Sequence, residues 1–252
     1  MQNKSKNAIL KEKTKENIMK QLRYGILSTS SIAPRFISAV REAKAGDIVA
    51  LSSRTLEKAK EKAELWDIPT AYGSHEELLG DPNVDIVNIS TVNSLHYRWA
   101  KAALERGKHV VCEKPCTTCE ADSRELFRLA REKGLFLMEA EKMLFLPAIL
   151  ELKRSIEAGE LGEIHMAEMA SSFKATYNTW MFDPEAGGGP LLSSGIYAVQ
   201  LLQLLFGEME TIQGIKSAME NGVEWQYILT GQTESGVLFS AKNSTRSVLD
   251  NT

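Results

Sequence analysis

The sequence predicts an α/β protein in which a doubly wound parallel sheet is followed by an α+β region with a mostly antiparallel sheet. Three observations predict it. From Leu22 to Ala140, short apolar runs alternate with amphipathic stretches of helical period, the pattern of crossover units that build a parallel sheet. After Pro147 the short runs follow one another at hairpin spacing. The composition is globular: of 252 residues 43% are hydrophobic and 25% charged, with 17 Gly and 7 Pro. That sets aside collagen-like, low-complexity and wholly disordered chains.

Tyr24–Leu27 reads as the first strand, followed by a helix that carries Ile32, Phe36, Ile37 and Val40 at helical spacing. Asp47–Ser52 is the second strand and Thr55–Leu65 a charged helix. Val84–Ser90 is an apolar strand that leads to a helix over Ser94–Arg106. His109–Cys112 is a strand, Thr118–Lys133 a helix and Leu135–Ala140 a further strand. Helices on both faces of the sheet follow from this alternation. Beyond Pro147, a helix over Ile149–Ala158 leads to a strand over Glu163–Phe173. A glycine-rich turn then enters a buried helix that ends at Phe206, and strands follow over Glu210–Met219, Glu224–Thr230 and Gly236–Ala241. The expected organisation is an N-terminal extension (1–21), a first domain (22–147) and a second domain (148–252).

Charge and cysteine usage narrow the function. The extension holds six lysines against Glu12 and Glu16, a local charge of +4, and the remaining 24 basic and 31 acidic residues give −7. It reads as a solvated, partly helical segment rather than a nucleic-acid arm. A net charge of −3 gives no reason to expect nucleic acid or anionic lipid as a partner. No run of 18 apolar residues occurs, and the uncharged stretch from Ala186 to Gly207 contains three consecutive glycines and a proline, so no membrane span is expected. Cys112, Cys116 and Cys119 crowd together and cannot all pair, which is not a secreted disulfide framework. A reduced, cytoplasmic protein is expected.

Three segments can carry chemistry. In the strand-to-helix turn Gly25–Ala33, a dinucleotide fingerprint would place glycine at 28 and 30 and a small residue at 33. Here Ser28 and Ser30 stand at the glycine positions and Ala33 at the third, so the turn reads either as a phosphate cradle or as an ordinary serine-capped turn. The second strand ends at Ser52-Ser53-Arg54, where an acidic residue would bind a ribose. Arg54 reads either as a partner for a 2′-phosphate or as a surface arginine. Cys112-Glu113-Lys114-Pro115-Cys116-Thr117-Thr118-Cys119 has a spacing that also occurs around iron–sulfur clusters. Thr117 and Glu120 look like a capping box that places Cys119 in a first helical turn, and Cys112 ends an apolar strand, so no metal is expected. The same segment puts a lysine and a glutamate at the carboxyl end of a parallel strand, where doubly wound sheets bind ligands.

His109-Val110-Val111-Cys112-Glu113-Lys114-Pro115 resembles the Glu-Lys-Pro signature of the glucose–fructose oxidoreductase and inositol dehydrogenase family (Gfo/Idh/MocA). Tyr24–Leu27, Ser53-Arg54, Thr91–His96 and Ala102–Lys108 fall in that family's order. Phe182-Asp183-Pro184, Gly187–Leu192 and Gly195-Ile196-Tyr197 resemble its dihydrodiol and xylose dehydrogenase branch. The resemblance runs from about Leu22 to the C-terminus.

The resemblance implies a Rossmann domain and an NAD(P)-dependent oxidoreductase that acts on a sugar or other cyclic alcohol, working as a homo-oligomer through the open face of its second sheet. It puts Lys114 against substrate hydroxyl and cofactor, and Tyr197 as proton donor or acceptor; an ammonium beside a phenol favours the phenolate. His96 and Ser193 are the expected substrate contacts. Ser28, Thr29, Ser30, Ser31, Ile32, Arg54, Thr91, Asn93, His96, Glu113 and Lys114 are the expected cofactor contacts, with NADP preferred over NAD through Arg54. For His96 a plain hydrogen-bonding role at a helix start is the competing reading. The chain departs from the family at Ser193, where relatives carry aspartate, and at Ser28 and Ser30. Relatives also run longer, so the second sheet is expected to be incomplete, with an open edge. A non-catalytic nucleotide-binding sensor or an inactive, truncated member is the alternative.

Overall fold

The structure, a computed structural model, describes residues 21–176 and 179–248; the lysine-rich extension, apart from its last residue, lies outside them. The first sheet has six parallel strands: β1 (Leu22–Leu27), β2 (Gly46–Ser52), β3 (Thr70–Tyr72), β4 (Ile86–Ile89), β5 (His109–Cys112) and β6 (Leu137–Glu139). Helices α1 (Ala33–Glu42), α2 (Leu56–Leu65), α3 (His75–Gly80), α4 (His96–Glu105) and α5 (Glu120–Lys133) alternate with them. The strand order is β3-β2-β1-β4-β5-β6. The chain therefore reverses its direction of travel between β1 and β4, which opens a crevice at their carboxyl ends.

The pleat sends successive residues to opposite faces. Ile26 packs with Ile37, Val40 and Leu51 in one buried cluster. Leu27 packs with Val87, Ile89, Trp99 and Leu104 in the other. Helices thus cover both faces, as the alternating pattern predicts.

Two elements leave little trace in the sequence pattern. β3 has three residues, too few for an alternation to register. α3 has six, although its Ser74–Glu77 capping box is there to be read. A further expectation is corrected: Thr117 and Glu120 form no capping box. α5 starts at Glu120 after Cys119, with no side-chain cap. The Thr117 hydroxyl is used locally, donating to the Cys119 carbonyl at 2.7 Å and lying 2.6 Å from Ser123 Oγ.

After α6 (Pro147–Glu157) comes a second sheet of β7 (Met166–Ser172), β8 (Met209–Ala218), β9 (Glu224–Thr233) and β10 (Leu238–Ser244) in the order β7-β10-β9-β8. β8, β9 and β10 run antiparallel in succession, and β7 joins β10 in parallel. Pro184–Phe206 is long and apolar enough to cross a membrane by length and composition. It folds as a short 3-10 turn, a π-helical turn over Leu191–Gly195, and α7 (Ile196–Phe206). The expected buried helix is mostly half-buried, with Ala198 and Leu202 fully inside.

Candidate active site

The crevice is built by strand ends. Ser28 follows β1 with φ +104°, in the region that glycine favours, and its N–H donates to the Ser52 carbonyl at the end of β2 (3.2 Å). Ser28, Ser30, Ser31 and Ile32 form one wall of a cavity of about 540 Å³, and Thr91 and Asn93 after β4 lie on the other. Its far end holds Glu113 and Lys114 just after β5, Lys142 after β6, and Tyr197 from α7. A neighbouring cavity of about 290 Å³ collects Thr29, Ser53, Arg54, Lys58 and His75. A third, about 470 Å³, lies beyond Tyr197 against β7 and β10 and is lined by Met143, Leu146, Met169 and Tyr227.

A dinucleotide fits the first two cavities. The hydroxyl oxygens of Ser30 and Ser90 are buried without a hydrogen-bond partner among the described residues, beside the cradle, where a ligand oxygen would satisfy them. No serine caps α1, whose N-cap is Ile32. The turn is therefore not the ordinary capped one.

The Lys114 ammonium donates to the Ser193 carbonyl and stands 4.8 Å over the Tyr197 ring. Ser193 thus meets Lys114 through its backbone, while its buried hydroxyl has no hydrogen-bond partner among the described residues. Glu113 lies beside Lys114, and burial raises its pKa against the lowering effect of that ammonium. The Tyr197 hydroxyl meets Lys142 Nζ at 3.3 Å.

His96, expected among the ligand contacts, is 1% exposed. Nδ1 faces the Pro115 carbonyl at 2.7 Å and Nε2 the Thr91 carbonyl at 3.1 Å, so both ring nitrogens are engaged inside the protein. Burial lowers its pKa against the raising effect of the two carbonyls, and its place is that of a strut between the β4 and β5 loops. Asn93 ties the same region to the second sheet's glycine run, donating to the Gly187 carbonyl at 2.9 Å. Gly189, at φ +125°, leaves room for Glu224: a Cβ there would lie 2.6 Å from the carboxylate that accepts the Leu191 N–H.

Cys112 and Cys116 are buried and Cys119 is exposed, so the three thiols do not face one site. Burial pushes the Cys112 thiol well up. Sequence reasoning missed Lys142, Arg35, Lys58, His75 and Trp180 as cavity residues. For Lys142 a signal existed, because it follows a strand's carboxyl end, as Lys114 does.

A sheet in this order, with a serine cradle and polar strand ends around its reversal point, defines a dinucleotide-binding protein of the Rossmann type. Residues 22–141 match the model of an oxidoreductase family with an NAD-binding Rossmann fold, and residues 149–251 match the GFO/IDH/MocA C-terminal domain. The chain belongs to the Gfo/Idh/MocA family of nicotinamide-dependent oxidoreductases, in the branch that holds the dihydrodiol dehydrogenases. It is 36% identical to trans-1,2-dihydrobenzene-1,2-diol dehydrogenase of Mus musculus, over 92% of this chain and 71% of that protein. The Macaca fuscata fuscata enzyme of the same name is 37% identical over 81% of this chain and 62% of its own length. The crystal structure of an aldose–aldose oxidoreductase from Caulobacter crescentus, complexed with glycerol, superposes with a TM-score of 0.82 at 27% identity, covering 90% of this chain and 71% of that one.

Proposed function

We propose that the protein oxidises a secondary alcohol on a ring, in a sugar or a dihydrodiol, with NADP⁺ preferred over NAD⁺. The observation that carries this reading is Lys114 against Tyr197 at the end of a cavity that begins at the serine cradle. When bound, the nicotinamide supplies the two-electron acceptor for the carbinol carbon. Tyr197 takes the carbinol proton, and Lys114 holds the carbinol oxygen at the seam between the two sheets. Ser28 to Ile32, Thr91 and Asn93 cradle the dinucleotide, and Glu113 steadies Lys114. Ser193 closes the substrate side through its backbone, and His96 positions both loops. The names of the curated relatives support the diol, and that of the Caulobacter structure the sugar.

The NADP preference rests on Arg54, in one cavity with Lys58 and His75 and no acidic side chain among its lining residues. Boundaries at 22–147 and 148–252 follow the change of sheet and the two family matches. A cytoplasmic setting is in keeping with the buried, unpaired Cys112 and Cys116.

The test is NADP⁺ reduction over a panel of pentoses, hexoses and trans-cyclic diols. Lys114→Ala and Tyr197→Phe should each lower kcat by about 10²–10⁴-fold, the usual worth of acid–base catalysis. Arg54→Ala should weaken NADPH binding about tenfold to a hundredfold, for the loss of one charge-assisted contact, and leave NADH binding unchanged. Wild-type rates in both active-site variants would refute the mechanism. A silent panel with intact NADPH binding would point to a nucleotide sensor.

A further inference from the structure

Two ammonium groups meet Tyr197, and they meet it differently. Lys114 spends one of its three N–H donors on the Ser193 carbonyl and stands over the ring face at 4.8 Å. Lys142 lies 3.3 Å from the phenol oxygen itself and 5.3 Å from the ring centroid. Among the described residues Tyr197 is the hydrogen-bond partner of the Lys142 side chain. We propose that Lys142 is a catalytic residue, the cation that holds the phenol oxygen of Tyr197 through proton transfer, while Lys114 is left to the substrate. This rests on the reading of Tyr197 as proton acceptor.

The fold sets Lys142 in that position. It opens a 3-10 turn, Lys142–Phe145, which follows β6 and so projects from the carboxyl edge of the first sheet. The turn is pinned by Glu141, whose Oε1 accepts the Met143 N–H at 2.9 Å and whose side chain is 2% exposed. Lys142 and Tyr197 also form the seam between the cofactor-side cavity and the apolar one. The proton acceptor therefore stands where a ring entering one cavity would present a hydroxyl to the other.

The remaining charged or titratable groups that line these cavities are Arg35, His96 and Glu113 on the cofactor side and Lys242 and Tyr227 on the other. Lys242 is paired with Glu168, and burial raises the Glu113 pKa against the lowering effect of Lys114. The ammonium in contact with the phenol oxygen is that of Lys142. A hydrogen bond from an ammonium to the phenol oxygen is charge-assisted and belongs to the stronger class. The step itself is a proton transfer: the carbinol O–H bond breaks with its electron pair left on the carbinol oxygen, and the phenol O–H bond forms. Lys142 keeps its three protons throughout.

The first experiment needs neither substrate nor cofactor. Tetranitromethane nitrates phenolate, and peptide mapping by mass spectrometry gives the nitration rate of Tyr197 alone. Lys142→Met should slow it about tenfold, the least effect of removing an opposite charge at this range. Lys142→Arg should restore most of the rate. In turnover, Lys142→Met should lower kcat and leave the KM for the alcohol and the Kd for NADPH unchanged. The substituted side chain is exposed, so the fold is not at stake. An unchanged nitration rate overturns the proposal, as does a raised KM with kcat preserved. Slowed nitration with a silent substrate panel would refute the dehydrogenase reading and leave the Lys142–Tyr197 coupling standing.

Discussion

Ser28 holds a backbone conformation that its side chain resists. At φ +104° a Cβ is crowded by the neighbouring peptide, which costs about 1–3 kcal/mol. Its N–H nevertheless reaches the Ser52 carbonyl, so the turn keeps the form that a glycine would give it. Ser28→Gly relieves that strain and adds an unfolded-state entropy cost of about 0.4–1 kcal/mol. Relief of the strain outweighs the added entropy, so the variant should gain up to about 2 kcal/mol in chemical denaturation. It should also bind NADPH at least as tightly. A loss of stability would mean that the serine hydroxyl contributes more than the strain it brings.

At the scale of elements, two loops depend on one buried imidazole. His96 opens α4 and bridges the Thr91 and Pro115 carbonyls, and so fixes Glu113 and Lys114 relative to the loop after β4. Burial lowers its pKa below 6.5, and that of His75 likewise. A histidine whose folded pKa is depressed contributes stability that is present above the unfolded pKa and lost as pH falls through the folded one. The fold should therefore weaken below about pH 6.5, by at most about 1.4 kcal/mol per pH unit for each group. His96→Gln should make the slope of the denaturation midpoint against pH shallower without abolishing it, since His75 still titrates. An unchanged slope would show that His96 is not the linked group. This strut also marks how far a sequence can be read. The lysine at the end of β5 and the tyrosine after the glycine run were legible because strand ends and an ordered set of motifs give positions. The ring nitrogens of His96 were not, because their partners are backbone carbonyls that carry no residue signature. Arg35 was likewise hidden, as it enters the cavity from a helix that read only as surface, whereas Lys142 was legible in principle from its place after a strand. Of the missed elements, β3 left no pattern, whereas α3 announced itself by Ser74 and Glu77.

At the scale of the whole molecule, the two sheets are finished differently. Both faces of the first are covered by helices, whereas the second buries Tyr227, Phe239 and Ala241 on one face and leaves the other open. On the open face Ile215 lies directly opposite Ile228, and these are 73% and 44% exposed. Met166 and Leu238, neighbours in the parallel pair, add two further exposed apolar side chains, with the Glu168–Lys242 ion pair beside them. An apolar, self-complementary face of this kind suits a second copy of the chain related by a two-fold axis, where each isoleucine pair meets its equivalent. The homo-oligomer that the family resemblance implies would form through this face. Ile215→Lys combined with Ile228→Lys puts four ammonium groups into such an interface for two substitutions per chain, and like charges brought together there cost several kcal/mol. Light scattering should show the wild-type oligomer replaced by a monomer, while NADPH titration gives an unchanged dissociation constant because the cofactor crevice belongs to the other sheet. A mass that does not change would place the interface elsewhere, and a monomeric wild type would refute the assembly.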